Sequence, residues 1–265
     1  MEASAISAEN LTYAYKANGD EPRLVFEDIS FDVRRSEIVC LVGPSGCGKS
    51  TLLNIVAGFL SPHRGAIRLA EGEKGKTGKV GYIFQRDALL PWRSVKKNLL
   101  LADELRREAN SEREEAKIRD YLKVFNLDES VLGKYPAELS GGMRQRVSIV
   151  QSLMTEPDIL LLDEPFSALD FYTKLKLEGE FRAMVSGTGK AALFVTHDID
   201  EAIAMGDRIL VMGDSPKGIV DEVKIEFDSG SRLSPEAIRG HARFGEYFSR
   251  VWGELRENSN AGLVL

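Results

Sequence analysis

The sequence predicts an α/β fold: a mostly parallel sheet covered by helices on both faces, with a helical stretch set into its middle. Three observations carry that prediction. Short, continuous apolar runs recur at Ile38 to Val42, Ile159 to Leu162 and Ala192 to Val195, as expected of parallel strands buried on both faces. Each run is followed by a helix-prone segment, the alternation that builds a parallel sheet. The chain from about Val95 to Leu127 then changes character and becomes charged and helix-prone.

Taken in order, Ile29, Phe31 and Val33 alternate with polar residues, the period of a half-buried strand. The Ile38 to Val42 run leads into a Gly-rich loop and then a helix from about Lys49 to Phe59. Val80 to Phe84 reads as a further strand. Ser111 followed by Glu114 resembles a capping box, and Ile118, Tyr121, Leu122 and Phe125 behind it form a helical packing stripe. Ile209 to Met212 and Ile219 to Ile225 suggest two more short strands, and the polar tail after Phe227 reads as helical from Pro235 to Arg256. The 265 residues suit a single domain, divided into a core of 1–85 and 156–225, a helical insertion of about 86–155 and a C-terminal tail of 226–265.

Composition narrows the function. The net charge of -6 argues against nucleic acid as the main partner, since such binders usually carry a basic surplus. No apolar run approaches the ~20 residues a membrane-spanning helix needs, so a membrane role would run through a partner. Met1 to Asn10 lacks the basic and apolar regions of a secretory signal. Cys40 and Cys47 are too few for a disulfide framework and suit a reducing compartment.

Gly43-Pro44-Ser45-Gly46-Cys47-Gly48-Lys49-Ser50, followed by Thr51, matches the phosphate-loop pattern G-x-x-x-x-G-K-[ST]. It stands between a strand and a helix, where its backbone N–H groups can surround a β-phosphate at a helix N-terminus. Lys49 supplies charge to the β- and γ-phosphates, and the Ser50 hydroxyl can ligate Mg²⁺. Cys47 reads either as a small filler or as a thiol whose alkylation blocks nucleotide. The apolar strand Ile159 to Leu162 ends in Asp163 and Glu164. Open parallel sheets gather ligands at such ends. Asp163 is placed to hold Mg²⁺ and Glu164 to polarise an attacking water as general base. Together these features predict a P-loop core.

Leu139-Ser140-Gly141-Gly142-Met143-Arg144-Gln145-Arg146 resembles the LSGGQ signature of ATP-binding-cassette (ABC) ATPases, with Met143 in place of the usual Gln. That resemblance implies an N-terminal antiparallel β part beside the core. It also implies a homodimer on ATP, in which Ser140, Gly141, Gly142 and Gln145 serve the ATP bound to the second copy. Further positions then match the family one by one. Gln85 matches the Q-loop glutamine that ligates Mg²⁺ and senses the γ-phosphate. Ser167 and Asp170, in Ser167-Ala168-Leu169-Asp170, match the D-loop that contacts the opposite subunit. His197 matches the switch histidine. Tyr15 is similar to the aromatic that stacks on adenine, with Tyr13 competing because strand alternation would face both to one side. His63 and His241 match nothing and read as surface residues.

The run Arg86 to Val95, containing Leu89-Leu90-Pro91-Trp92, resembles the nitrate/sulfonate/taurine import group. Leu89, Leu90 and Trp92 read either as a docking surface for a membrane subunit or as ordinary packing. The resemblance, which covers about Ile6 to Val223, implies an ATPase motor on the cytoplasmic face of the plasma membrane. Its partners would be transmembrane permease subunits and, indirectly, a substrate-binding protein. The alternatives left open are an ABC ATPase driving a different membrane complex and a non-transport ABC ATPase.

Overall fold

The computed structural model describes residues 4–16, 22–70, 79–106, 111–227 and 233–259. Two long strands, β1 (Ser4–Tyr15) and β2 (Arg23–Arg34), pair antiparallel. β4 (Arg64–Leu69) flanks β1 on its other side, giving a three-stranded antiparallel sheet in the order β2-β1-β4. The second sheet is built from β3 (Ile38–Val42), β5 (Val80–Ile83), β6 (Ile159–Asp163), β7 (Ala191–Val195), β8 (Arg208–Met212) and β9 (Ile219–Lys224). Its order is β5-β6-β7-β3-β8-β9, all pairs parallel except β9, which runs antiparallel to β8.

This order positions the site. The carboxyl ends of β5, β6, β7 and β3 lie side by side, so the residues that follow each strand meet along one edge. Residues far apart in sequence (Gly43, Gln85, Asp163 and His197) are thereby delivered to one crevice, as in other open α/β sheets.

The six-stranded sheet is a wall between two apolar cores. Along β3, Val39 and Leu41 join the antiparallel sheet and helix α1 (Lys49–Val56), whereas Ile38, Cys40 and Val42 join the helices on the opposite face. The same alternation holds in β6, where Ile159 and Leu161 face one core and Leu160 and Leu162 the other. All five residues of β3 are buried, which is why its sequence is continuously apolar rather than alternating.

Between β5 and β6 run α2 (Val95–Leu99), α3 (Leu101–Arg106), α4 (Ser111–Val124) and α5 (Gly141–Met154). Ile118, Leu122 and Phe125 of the expected stripe are buried, and Tyr121 packs against them. Their cluster is continuous with Ile83 and Leu160 of the sheet, so the helical segment has no separate core. The Ser111 side chain of the expected capping box lies outside the described residues. Leu89 is buried in this same core, which settles it as packing; Trp92 is 74% exposed. The fully buried Asn98 folds the chain between them. Its amide donates to the Leu90, Arg93 and Ser94 carbonyls at 3.0 to 3.2 Å and its oxygen accepts from Leu90 N at 2.8 Å.

Several boundaries differ from expectation. α1 ends at Val56 with Ala57 as its cap, because the chain turns at Gly58 (φ 78°) before reaching Phe59. The tail is two helices, α8 (Pro235–Arg239) and α9 (Phe244–Glu257), interrupted after Gly240. His241 sits in that break, half-buried and edge-on to Phe227 at 4.7 Å, not on the open surface. His63 is exposed, though its ring meets Tyr13 edge-on at 5.2 Å.

The tail is anchored by charge as well as by burial of Ile238, Tyr247 and Val251. Arg239 makes a two-pronged ion pair, 2.7 and 3.0 Å, to Glu178 on α6 (Phe171–Thr188), whose carboxylate is fully buried. Breaking one partner of such a pair leaves a buried charge. Arg239→Ala is therefore expected to destabilise the chain by about 3 kcal/mol in urea unfolding, and Glu178→Gln in the same chain to recover part of that loss.

Candidate functional site

The loop after β3 is shaped by its glycines and its lysine. Gly48 caps α1 at φ 109°, and a Cβ there would come within 2.7 Å of Val25, so no other residue fits without displacement. Lys49 is buried, and its ammonium donates to the Gly43 and Pro44 carbonyls at 2.7 and 2.8 Å. The first turn of α1 carries no acidic residue, so the positive end of the helix is left uncompensated.

Gly43, Ser45, Gly46, Gly48, Lys49, Ser50 and Thr51 line a cleft. Its other walls come from the neighbouring strand ends: Gln85, Asp163, Glu164 and His197. Tyr15 closes one end, and its hydroxyl shares a 3.1 Å hydrogen bond with Thr51 Oγ1. Tyr13 does not line the cleft; it is buried, with its ring edge-on to Tyr15 at 5.2 Å. Simple alternation fails here because the register of β1 against β2 shifts between Leu11 and Tyr13 and again between Tyr13 and Ala14.

Pro44 and Cys47 are not among the lining residues. Cys47 is buried beneath the loop, its Sγ 3.9 Å from Lys49 Nζ, and burial pushes its thiol up despite that nearby charge. A shielded, protonated thiol suits the filler reading of Cys47 rather than the reactive one.

At the far end of the cleft three side chains converge. Gln85 Nε2 donates to Glu164 Oε2 at 2.9 Å, and His197 Nδ1 lies 3.1 Å from Glu164 Oε1. Glu164 itself has φ 47°, a left-handed conformation uncommon for a non-glycine residue, while its N–H still pairs with Val195 O at 3.0 Å. Asp163 lies beside it. Burial pushes the Asp163 carboxyl up; the Ser50 hydroxyl, hydrogen-bonded to it, and Lys49 oppose that shift, and Glu164 adds to it.

The signature residues stand apart from this cleft. Ser140 caps α5 by accepting from Met143 N at 3.3 Å; Ser140 and Gly141 are exposed and Gly142 abuts Leu169. Ser167 donates its hydroxyl to Glu164 O at 2.9 Å, and Asp170 caps α6 through Thr173 N at 3.0 Å. Gln145 departs from expectation. It is 3% exposed and donates to Phe84 O at 3.3 Å, so it faces its own chain rather than a second copy. Its neighbour Arg144 pairs with Asp87 at 3.0 Å. Consecutive residues of α5 thus hold the chain on both sides of Gln85.

Sequence reading missed Arg23, Val25 and Ser215, which also line the cleft. Arg23 and Val25 carry no motif, and Ser215 is brought in only by the turn after β8, where its hydroxyl donates to Leu24 O at 2.9 Å.

Residues 26–167 match the family described as ABC transporter. The chain belongs to the ABC transporter family. Within it, the chain is an ATP-hydrolysing subunit. An aliphatic sulfonates import ATP-binding protein of Burkholderia cenocepacia is 41% identical over 91% of this chain and 87% of its own. A taurine import ATP-binding protein of Jannaschia sp. is 37% identical over 86% and 85%. Among solved structures, the dimeric post-hydrolysis state of an ATP-binding cassette bound to ADP and Pi is similar with a TM-score of 0.75. Its identity is 29%, over 84% of this chain and 99% of that one. That solved cassette and a second one, the dimeric structure of a bacterial ABC transporter cassette with a TM-score of 0.75 and 30% identity over 84% of this chain and 99% of that one, are both dimers. Among the described residues no helix is long and apolar enough to cross a membrane.

Proposed function

We propose that this chain is the motor of an importer for a small sulfonate- or taurine-like solute. The observation that carries this reading is the Gln85–Glu164–His197 constellation at the open end of the phosphate cleft, in a chain this similar to sulfonate and taurine import subunits. Lys49, Ser45 and the amides of Gly46 and Gly48 bind the triphosphate, with Tyr15 against the adenine. Glu164 takes the proton of the attacking water, held in place by Gln85, and His197 supports the γ-phosphate. The exposed Ser140 and Gly141, with Gly142, complete the cleft of a second copy, and Ser167 and Asp170 line that contact.

Mg²⁺ would be held by Ser50, Asp163 and Gln85. In support, these are hard oxygen donors of the kind Mg²⁺ prefers, and the Ser50 hydroxyl is hydrogen-bonded to the Asp163 carboxyl. When bound, the ion neutralises charge developing on the phosphates.

Residues 86–155 act as the arm and 1–85 with 156–225 as the core. Gln145 and Arg144, braced on Phe84 and Asp87, couple motion of that arm to Gln85. Trp92 offers the exposed apolar contact for the permease. A substrate-binding protein on the far side of the membrane delivers the solute.

The test is ATPase activity of the chain co-expressed with candidate permeases in lipid, with and without binding proteins loaded with sulfonates, taurine or nitrate. Stimulation by one loaded protein is the expected result. Activity indifferent to all of them would move the chain to a different membrane complex.

A further inference from the structure

Helix α6 starts at the Asp170 cap and turns Lys174 inward, its side chain only 18% exposed. The ammonium lies 2.8 Å from Asp198 Oδ2 and 3.1 Å from Glu201 Oε1. Both acids belong to the segment that carries His197. Asp198 follows the histidine directly and caps α7 (Ile199–Met205) by accepting from Glu201 N at 3.2 Å. Its own N–H donates to Thr196 Oγ1 at 3.0 Å. The backbone on both sides of His197 is therefore tied down, while the ring is 67% exposed and lies 3.1 Å from Glu164 Oε1.

We propose that Lys174 is a positioning residue for ATP hydrolysis, holding the turn of Asp198 and Glu201 so that the His197 ring stays against Glu164. The proposal rests on the roles given above to Glu164 and His197. Removing the ammonium would leave two carboxylates converging in a partly buried space without the cation between them, held only by the Glu201 N–H on Asp198 and the Thr196 hydroxyl. Burial pushes the Asp198 carboxyl up, but the Lys174 ammonium and the amides of α7 outweigh it and keep it below the usual range. Glu201, 3% exposed, is pushed up by burial against the pull of Lys174. The next acid along α6, Glu178, is engaged directly by Arg239 and feels Lys174 only as a nearby charge. The segment from Thr196 to Glu201 would relax outward and take the ring with it.

Steady-state hydrolysis by the full chain tests this, read as kcat and KM separately, beside equilibrium binding of a fluorescent ATP analogue. Lys174→Met is expected to lower kcat roughly 10- to 100-fold, the cost of displacing an aligned group by about an ångström. Analogue affinity should stay within about twofold, because the phosphate loop is untouched, and Lys174→Arg should bring kcat back to within about threefold. In a His197→Ala background Lys174→Met should cost at most about a further twofold, since two residues acting through one group are not additive.

The same full kcat loss in both backgrounds would overturn the proposal and leave the role of His197 standing. So would wild-type kcat in Lys174→Met, or a parallel loss of analogue affinity marking a general structural fault. A His197→Ala chain as active as the wild type would overturn the role of His197 itself, and with it the route from Lys174.

Discussion

Glu164→Gln is expected to bind ATP normally and to hydrolyse it roughly 10²- to 10⁴-fold more slowly, the range that a positioned general base supplies. The geometry makes this substitution unusually clean. A glutamine oxygen can still accept from Gln85 Nε2, as Glu164 Oε2 does at 2.9 Å, and its amide can donate to the His197 Nδ1 that lies 3.1 Å from Oε1 once the imidazole carries its proton on Nε2. The strained backbone at φ 47° and the pairing with Val195 O are unaffected. The basicity is lost while the heavy-atom contacts stay. With the cleft filled and turnover blocked, a second copy should remain docked on the ATP, so size-exclusion chromatography with ATP should show a dimer that the wild-type chain does not retain. Phosphate release near the wild-type rate would remove Glu164 from the role of base.

The parts of this site that could be read from sequence are those in which a backbone element dictates a local pattern. Ile38 to Val42 and Ile159 to Leu162 are apolar because both faces of β3 and β6 are covered, and the residues that leave such strands must gather at one edge. Spacing alone therefore located Lys49 and the Asp163–Glu164 pair, while Gln85 and His197 followed from family resemblance. What escaped reading depends on three-dimensional adjacency. Tyr13 and Tyr15 could not be separated by alternation, because the register shifts in β1 that part them leave no mark in composition. Gln145 stands in a motif that the family resemblance directs at a second copy, yet helical geometry turns it back onto Phe84. Leu89 and Trp92 are three residues apart in one apolar run, and the turn held by the hydrogen bonds of Asn98 puts the first in the core and the second on the surface. Lys174 carries no motif, and its setting arises only where β6 and β7 stand side by side and the turn beyond β7 comes against α6.

Lys49→Met is expected to give the complementary result, loss of binding and hydrolysis together. Methionine keeps the length and most of the apolar stem of a buried lysine, so the fold has little reason to change. What disappears is the charge beneath the phosphates and the two hydrogen bonds, 2.7 and 2.8 Å, that curl the loop through the Gly43 and Pro44 carbonyls. A charge-assisted contact to phosphate in a partly dry cleft is among the stronger hydrogen bonds a protein makes. A loss of about 100-fold in ATP affinity, ~2.7 kcal/mol, is expected in equilibrium binding. Thermal unfolding separates this from damage to the fold. Without nucleotide the variant should melt within a few degrees of the wild type, but millimolar ATP should no longer raise its Tm, because a ligand stabilises only the state that binds it. In Glu164→Gln the same addition of ATP should raise Tm fully. The two variants therefore dissociate the two ends of one cleft, phosphate capture at the β3 end and water activation at the β6 end. A Lys49→Met chain that kept the ATP-induced rise in Tm would show that the loop amides and the N-terminus of α1 hold the phosphates without the lysine.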